Sequence, residues 1–142
     1  SPETWAPVGS WDRVSLVLPP HVTAASDWLR RATPRAEALL VPLRGDPGDV
    51  GGLKALYVGA LAERRLAGYA ADFGVEPALG RARREAAAVV YDTTDPVEGE
   101  AALRALGARW VWEEAAFPLH FQSPRLIRRL DSPQVRVHEF VP

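Results

Sequence analysis

The alternation of helical periodicity with short apolar runs predicts an α/β sandwich, three-layer or two-layer. It has a short, mostly parallel sheet flanked by about four helices and a C-terminal β-hairpin. Three observations carry this expectation. Ala38-Leu39-Leu40-Val41-Pro42-Leu43 is an apolar run bounded by turn chemistry, the mark of a strand covered on both faces. Asp95-Pro96-Val97-Glu98 opens a helix that Gly107 closes, and the aromatic strand Arg109-Trp110-Val111-Trp112 follows at once. Two further β-type segments, Leu126 to Leu130 and Val135 to Phe140, are joined by Asp131-Ser132-Pro133 and read as a terminal hairpin.

Residues 1–19 read as an irregular entry segment containing one short strand at most, and residues 20–142 as a single α/β domain. Val14, Leu16 and Leu18 alternate until Pro19-Pro20 stops them. From Pro20 the period changes: Val22, Ala25, Leu29 and Ala32 share one helical face beside Trp28. Arg30 and Arg31 stand in the last turn, where positive charge suits the helix dipole, and Pro34 closes the helix. After the run at 38–43 comes the turn-rich loop Arg44 to Gly52. Leu53, Leu56, Tyr57, Ala60 and Leu61 then recur at helical spacing. Arg65 to Ala71 has strand character weakened by Gly68. A third helix covers about Ala78 to Val90, with Leu79, Ala82, Ala86, Val89 and Val90 inward and an Arg81–Glu85 pair outward. The fourth runs from its Asp95 cap to Leu106.

Composition excludes several classes of function. The 142 residues carry 17 basic and 18 acidic side chains, a formal net charge of −1, and neither half is strongly charged. There is no lopsided field to hold nucleic acid or anionic lipid. At 47% hydrophobic and 25% charged the chain can build its own core, and at this length it buries roughly 68% of its unfolded surface without staples. Cys is absent, which removes disulfides, thiolate metal sites and cysteine nucleophiles. Three His, none at metal-ligand spacing, argue against a metal centre, and no cofactor motif is present. The longest uncharged apolar stretch, Ala86 to Tyr91, falls far short of the ~20 residues that span a bilayer. The chain lacks Met, so residue 1 is expected to follow processing or to lie inside a larger protein. Sixteen Arg against one Lys, 23 Ala and no Asn fit a GC-rich genome better than adaptation to heat, which enriches Lys and Glu.

Candidate functional residues are few, and none is assigned to catalysis. The loop Arg44-Gly45-Asp46-Pro47-Gly48-Asp49-Val50-Gly51-Gly52 precedes a helix, as phosphate-holding loops do. It lacks the P-loop Lys-Ser/Thr and the GxGxxG spacing, and its two carboxylates would repel phosphate. A ligand crevice at the carboxyl ends of the strands would draw on Arg44, Asp46, Glu113 and Glu114. Asp95 is spent as a helix cap, and Glu113 and Glu114 sit where a strand leaves the core for water. His21 and His138 read as surface residues, and no serine stands in a nucleophile elbow. Phe117, Leu119 and Phe121 form an apolar segment around Pro118 that either folds back onto the core or meets a partner as an interaction surface.

Five segments carry a resemblance in their order. LPPHVTAASDWLRRATPRAEALLVP, ALAERRLAGY, a helix ending VVYDTTDP, LRALGARWVW and SPRLIRRLDSPQVRVHEF follow one another between about residues 18 and 140. Together they resemble the C-terminal soluble domains of bacterial polytopic membrane proteins of the C-type glycosyltransferase superfamily, which is similar to dolichyl-phosphate-mannose protein mannosyltransferases. Trp28-Leu29, Thr33-Pro34 and Ala38 match the helix–strand opening of such domains. Leu103, Leu106, Gly107, Arg109, Trp110 and Val111 match a later helix–strand pattern, and Leu126, Val135 and Val137 the closing hairpin. The chain departs from the pattern at Glu63-Arg64-Arg65, where a Gly-Arg pair is usual, and at Trp110 and Phe140, where Tyr is typical. The resemblance implies an extracytoplasmic domain on a membrane protein, with the transmembrane portion of its own parent chain as partner. It also implies a role in covering a membrane active site or in binding an acceptor or partner protein. The catalytic carboxylates and the lipid-linked donor site would lie in the membrane portion, so the resemblance assigns no catalytic residue here. The residues leave two other readings open: a free-standing α/β ligand-binding domain or enzyme using the glycine loop, and a pure interaction module.

Overall fold

The computed structural model describes residues 18–42, 53–68 and 77–142. The elements are α1 (Pro20–Ala32), β1 (Ala38–Leu40), α2 (Leu53–Ala62), α3 (Pro77–Asp92), α4 (Pro96–Leu106), β2 (Ala108–Glu114), β3 (Leu126–Asp131) and β4 (Val135–Phe140). The sheet order is β1-β2-β4-β3. β1 runs parallel to β2, whereas β2–β4 and β4–β3 are antiparallel. The α/β class, the four helices and the C-terminal hairpin are therefore as the sequence predicts. The sheet is mixed rather than mostly parallel, because the hairpin supplies two of its four strands and β4 inserts beside β2. Leu66 adds a parallel rung to β1: the Leu39 N–H donates to the Arg65 carbonyl (2.9 Å) and the Ala67 N–H to the Leu39 carbonyl (2.7 Å). Of the strand expected over 65–71, that rung is what the described residues hold; residues 69–71 lie outside them.

Helices cover the sheet from both sides, giving three layers. Val22, Ala25 and Leu29 of α1 and Ala55, Val58 and Ala62 of α2 pack on Leu39, Val41, Trp110, Trp112, Val135 and Val137. Ala87, Val90 and Tyr91 of α3 and Ala102 and Leu103 of α4 pack on Ala38, Leu40, Val111 and Phe140. Ala38, Leu39 and Leu40 are all buried, as a strand covered on both faces requires. Each of the two leucines, removed from water, contributes ~1.5–3 kcal/mol. Trp28 meets Trp110 edge-on, ring centroids 6.0 Å apart at 74°.

Two bulges set which side chains face which layer. Between Ala38 and Leu39 the β1–β2 register slips, Ala38 facing Ala108 and Leu39 facing Trp110, so Arg109 is the extra residue. Between Arg128 and Leu130 of β3 a second slip leaves Arg129 extra. Both bulged arginines reach Glu139 on β4, Arg109 Nη2 at 3.3 Å and Arg129 Nη2 at 2.9 Å. Arg109 Nε also lies 3.4 Å from Glu37 without hydrogen-bond alignment, while Glu37 accepts from the Trp110 indole (3.1 Å).

The helix ends follow their local chemistry. In α4 the Asp95 side chain accepts from the Val97 N–H (3.0 Å), Pro96 stands in the first turn, and Gly107 closes the helix at φ 66°. α2 ends on a Schellman motif: the Glu63 N–H donates to the Ala60 carbonyl (3.2 Å) and the Arg64 N–H to the Gly59 carbonyl (3.0 Å). The left-handed residue of that motif is Glu63, at φ 53°. The buried face of α2 differs from the expected one: Ala55, Val58 and Ala62 turn inward, while Leu56 and Leu61 are exposed. Its close approach runs along small residues, and a β-carbon on Gly59 would lie 2.9 Å from Leu66 Cγ. In α3, Ala82 is exposed rather than inward, as is Ala32 at the end of α1.

Arg64 is buried, and its hydrogen bonds run to one hydroxyl and to backbone carbonyls. Its guanidinium donates to the Thr33 hydroxyl (2.9 Å), to the Thr33 carbonyl, and to the carbonyls of Leu29 (3.3 Å) and Arg30 (3.2 Å). It also donates to the carbonyls of Ala62 (3.2 Å) and Glu63 (2.9 Å). One cation thus reaches carbonyls where α1 and α2 both end, at the negative poles of two helix dipoles; that of Leu29 also accepts from the Thr33 N–H (3.2 Å) and hydroxyl (2.6 Å).

Candidate functional site

Beyond the cover of α3 and α4, their face of the sheet carries polar side chains in two cross-strand rows. In the first, Val111 of β2, His138 of β4 and Arg128 of β3 are neighbours; in the second, Glu113, Arg136 and Asp131. Burial of Val135 and Val137 on the α1/α2 side forces Arg136, His138 and Phe140 of β4 to the opposite side. The segment after β2 folds over this part of the sheet, and between them lies a cleft of about 410 Å³. Its floor is Glu113, His138, Arg136 and Arg128; its wall includes Leu119, Phe121, Gln122 and Ser123. A smaller hollow of about 180 Å³, reaching the β3–β4 turn at Ser132, Pro133 and Gln134, shares Glu113 and Arg136 with it.

Glu113 organises the cleft. Its Oε1 is 2.8 Å from His138 Nε2, and its Oε2 accepts from the Leu119 N–H (2.9 Å). Burial, the largest influence, pushes this carboxyl up; the His138 contact, the Leu119 N–H and the charges of His138 and Arg136 together outweigh it. The carboxyl is held below its ordinary value and is ionised at neutral pH. An ionised Glu113 is an acceptor only, so the His138 Nε2–H donates to it. Tyr91, buried at the end of α3, donates to the Trp112 carbonyl (2.7 Å), and burial, then the charges of Glu114 and Glu113, push its phenol well above 10.0.

Arg136 Nε is 3.1 Å and Arg128 Nη1 3.3 Å from opposite oxygens of Asp131, so two guanidiniums share one carboxylate. Ser123 is committed elsewhere: its hydroxyl donates to Glu100 (2.9 Å) and accepts from the Arg125 N–H (3.0 Å). Among the described residues of the cleft, the one hydroxyl is thus engaged away from the imidazole.

The sequence-predicted candidates separate. Glu113 and Glu114 stand at the carboxyl end of β2 as expected, but on opposite faces. Glu113 enters the cleft, while Glu114 accepts from the indole of Trp112, which packs against the α1/α2 layer. Arg44 and Asp46, with the whole glycine loop, lie outside the described residues. Phe121 is buried against α4, and Phe117 and Leu119 pack half-buried on the same cluster, so the segment takes the fold-back course rather than presenting an apolar patch. His138, expected at the surface, is 7% exposed and is the residue that sequence reasoning missed. The signal was its place between Val137 and Phe140 in a sheet covered on both faces. Among the described residues no group of three His, Cys, Asp or Glu could hold a metal ion, and no helix is long and apolar enough to cross a membrane.

No family model, no curated protein and no solved structure matches the chain.

Proposed function

We propose that the chain is an extracytoplasmic domain of an integral membrane protein resembling the lipid-linked-sugar glycosyltransferases, a domain that covers the membrane active site or receives acceptor or partner and catalyses nothing by itself. The observation that carries this reading is the junction of Glu63, Arg64 and Thr33. Thr33-Pro34 matches one segment of the family pattern; Glu63-Arg64-Arg65, which departs from the Gly-Arg pair usual in another, packs against it, with Thr33 and Arg64 31 residues apart in the sequence. Arg64 grips Thr33 through hydroxyl and carbonyl, and Glu63 has the positive φ that favours the glycine of the pattern. Both features thereby acquire a physical reason to occur together. Gly107 in the left-handed region at the end of α4 gives the Leu-Gly element of the pattern a similar basis.

Fractionation of the cells that make the native protein tests the reading. An antibody against this domain should find it in the membrane pellet and open to protease added outside the cytoplasmic membrane. Recovery of the native protein in the soluble fraction would overturn it, as would sugar transfer by the isolated domain.

A second reading, a free-standing α/β ligand-binding domain, is favoured by the cleft at the carboxyl end of β2. It requires the native protein to fractionate as soluble, so the same experiment separates the two.

A further inference from the structure

We infer that the cleft over Arg128, Arg136 and His138 is a binding site for a small oxyanion, a phosphate or carboxylate group carried by a larger molecule, a role that the membrane-protein reading leaves unassigned. The argument rests on what the lining has left to offer. Glu113 is the carboxylate in the floor, and both its oxygens are engaged, one by His138 and the other by the Leu119 N–H. Its negative charge stays in the floor and is met by Arg136, His138 and the Leu119 N–H. The two guanidiniums carry five N–H donors each, and each has one contact with Asp131. Most of their donors are therefore uncommitted by the fold, and about half of each side chain is exposed (47%).

Geometry favours one group spanning both arginines. Arg128 and Arg136 lie on paired antiparallel strands, each beside the other's cross-strand partner: Arg128 faces His138 and Arg136 faces Asp131. Both lean toward the same carboxylate, so the molecule itself displays an oxyanion held between two guanidinium forks, the arrangement an incoming ligand would copy. Leu119, Phe121 and Leu126 give the cleft an apolar side, and Gln122 supplies both donors and an acceptor for the rest of a ligand. The neighbouring hollow, which shares Arg136 and Glu113 and is lined also by Glu114, Ser132 and Gln134, offers space beside the anion for the polar remainder of a larger molecule. Asp131 is then the internal competitor that a ligand displaces.

Nuclear magnetic resonance titration of the folded domain with inorganic phosphate, and separately with acetate, tests the site. Saturable shifts should centre on Glu113, Arg128, Arg136 and His138, and the stronger arm identifies which oxyanion is preferred. Replacing both arginines (Arg128→Gln with Arg136→Gln) should weaken binding at least about ten-fold, since two charge-assisted contacts are lost. Asp131→Asn should instead tighten binding several-fold by removing the competing carboxylate, an effect that a purely structural role for these arginines would not produce. Absence of saturation in both arms, or shifts unchanged in the double variant, or weaker binding by the folded Asp131→Asn protein, would overturn the inference.

Discussion

Phe121 lies so close over Gly99 that a β-carbon at that position would stand 2.5 Å from its ring. The contact pins the segment after β2 to the first turns of α4 and so fixes the wall of the cleft. Gly99→Ala should therefore destabilise the domain by about 1–3 kcal/mol through overpacking, although alanine is the better helix former by ~1 kcal/mol. Urea denaturation of Gly99→Ala, Phe121→Leu and the double variant would show it. The double variant should recover part of the loss, whereas simple additivity would mean that the two residues do not compete for the space.

Glu63 occupies the left-handed position of the α2 Schellman motif at φ 53°, where a side chain costs ~1 kcal/mol. Its exposed ion pair with Arg35 offsets little of that. Glu63→Gly should stabilise the domain by about 0.5–1 kcal/mol, measured as a higher urea midpoint at unchanged slope. A lower midpoint would show that the Arg35 contact outweighs backbone strain.

Removal of the Arg64 clasp should be severe. Arg64→Ala strips the guanidinium from the carbonyls of Arg30 and Thr33 at a buried junction, while the Leu29 carbonyl keeps the Thr33 N–H and hydroxyl, at a cost of about 2–4 kcal/mol. Arg64→Lys should recover less than half, because an ammonium cannot fork across two helix ends. Thr33→Val, which removes the hydroxyl that accepts from Arg64 and donates to the Leu29 carbonyl (2.6 Å), should cost about 1–2 kcal/mol. Equal losses for all three would contradict the account.

Acid should loosen the cleft. A carboxyl whose folded value lies below its unfolded one adds stability that is complete above the unfolded value, near 4.5, and is lost as pH falls through the folded value. Glu113→Gln should cost about 1–2 kcal/mol at neutral pH, from the weakened His138 contact. Urea midpoints of the two proteins should converge as pH is lowered below that value. A gap that stays constant or widens into acid would mean that Glu113 is not held in its ionised form.

What the sequence made legible was local chemistry. α4 could be bounded from its letters because Asp95, Pro96 and Gly107 each act on backbone within a few residues. The end of α2 could not, since Glu63 gives no sign of a left-handed turn and the motif is held by backbone bonds. The buried face of α2 was misread for a related reason: Ala55, Gly59 and Ala62 pack closely because they are small, whereas periodicity weights the larger Leu56 and Leu61. At the site, Glu113 was visible as a strand-end carboxylate, but its partner was not. The Glu113–His138 contact spans 25 residues, and it depends on β4 pairing with β2 in one register, which no local pattern in either segment specifies.

The clasp around Arg64 has a property that the cleft lacks. Its acceptors are backbone carbonyls and one hydroxyl, groups that take up no proton in ordinary solution. Acidification that strips the Glu113 side of its charge therefore leaves the seam between α1 and α2 chemically unaltered. The two contacts differ in what can undo them: the Glu113–His138 pair answers to protons, the Arg64 clasp to forces that pull the helices apart.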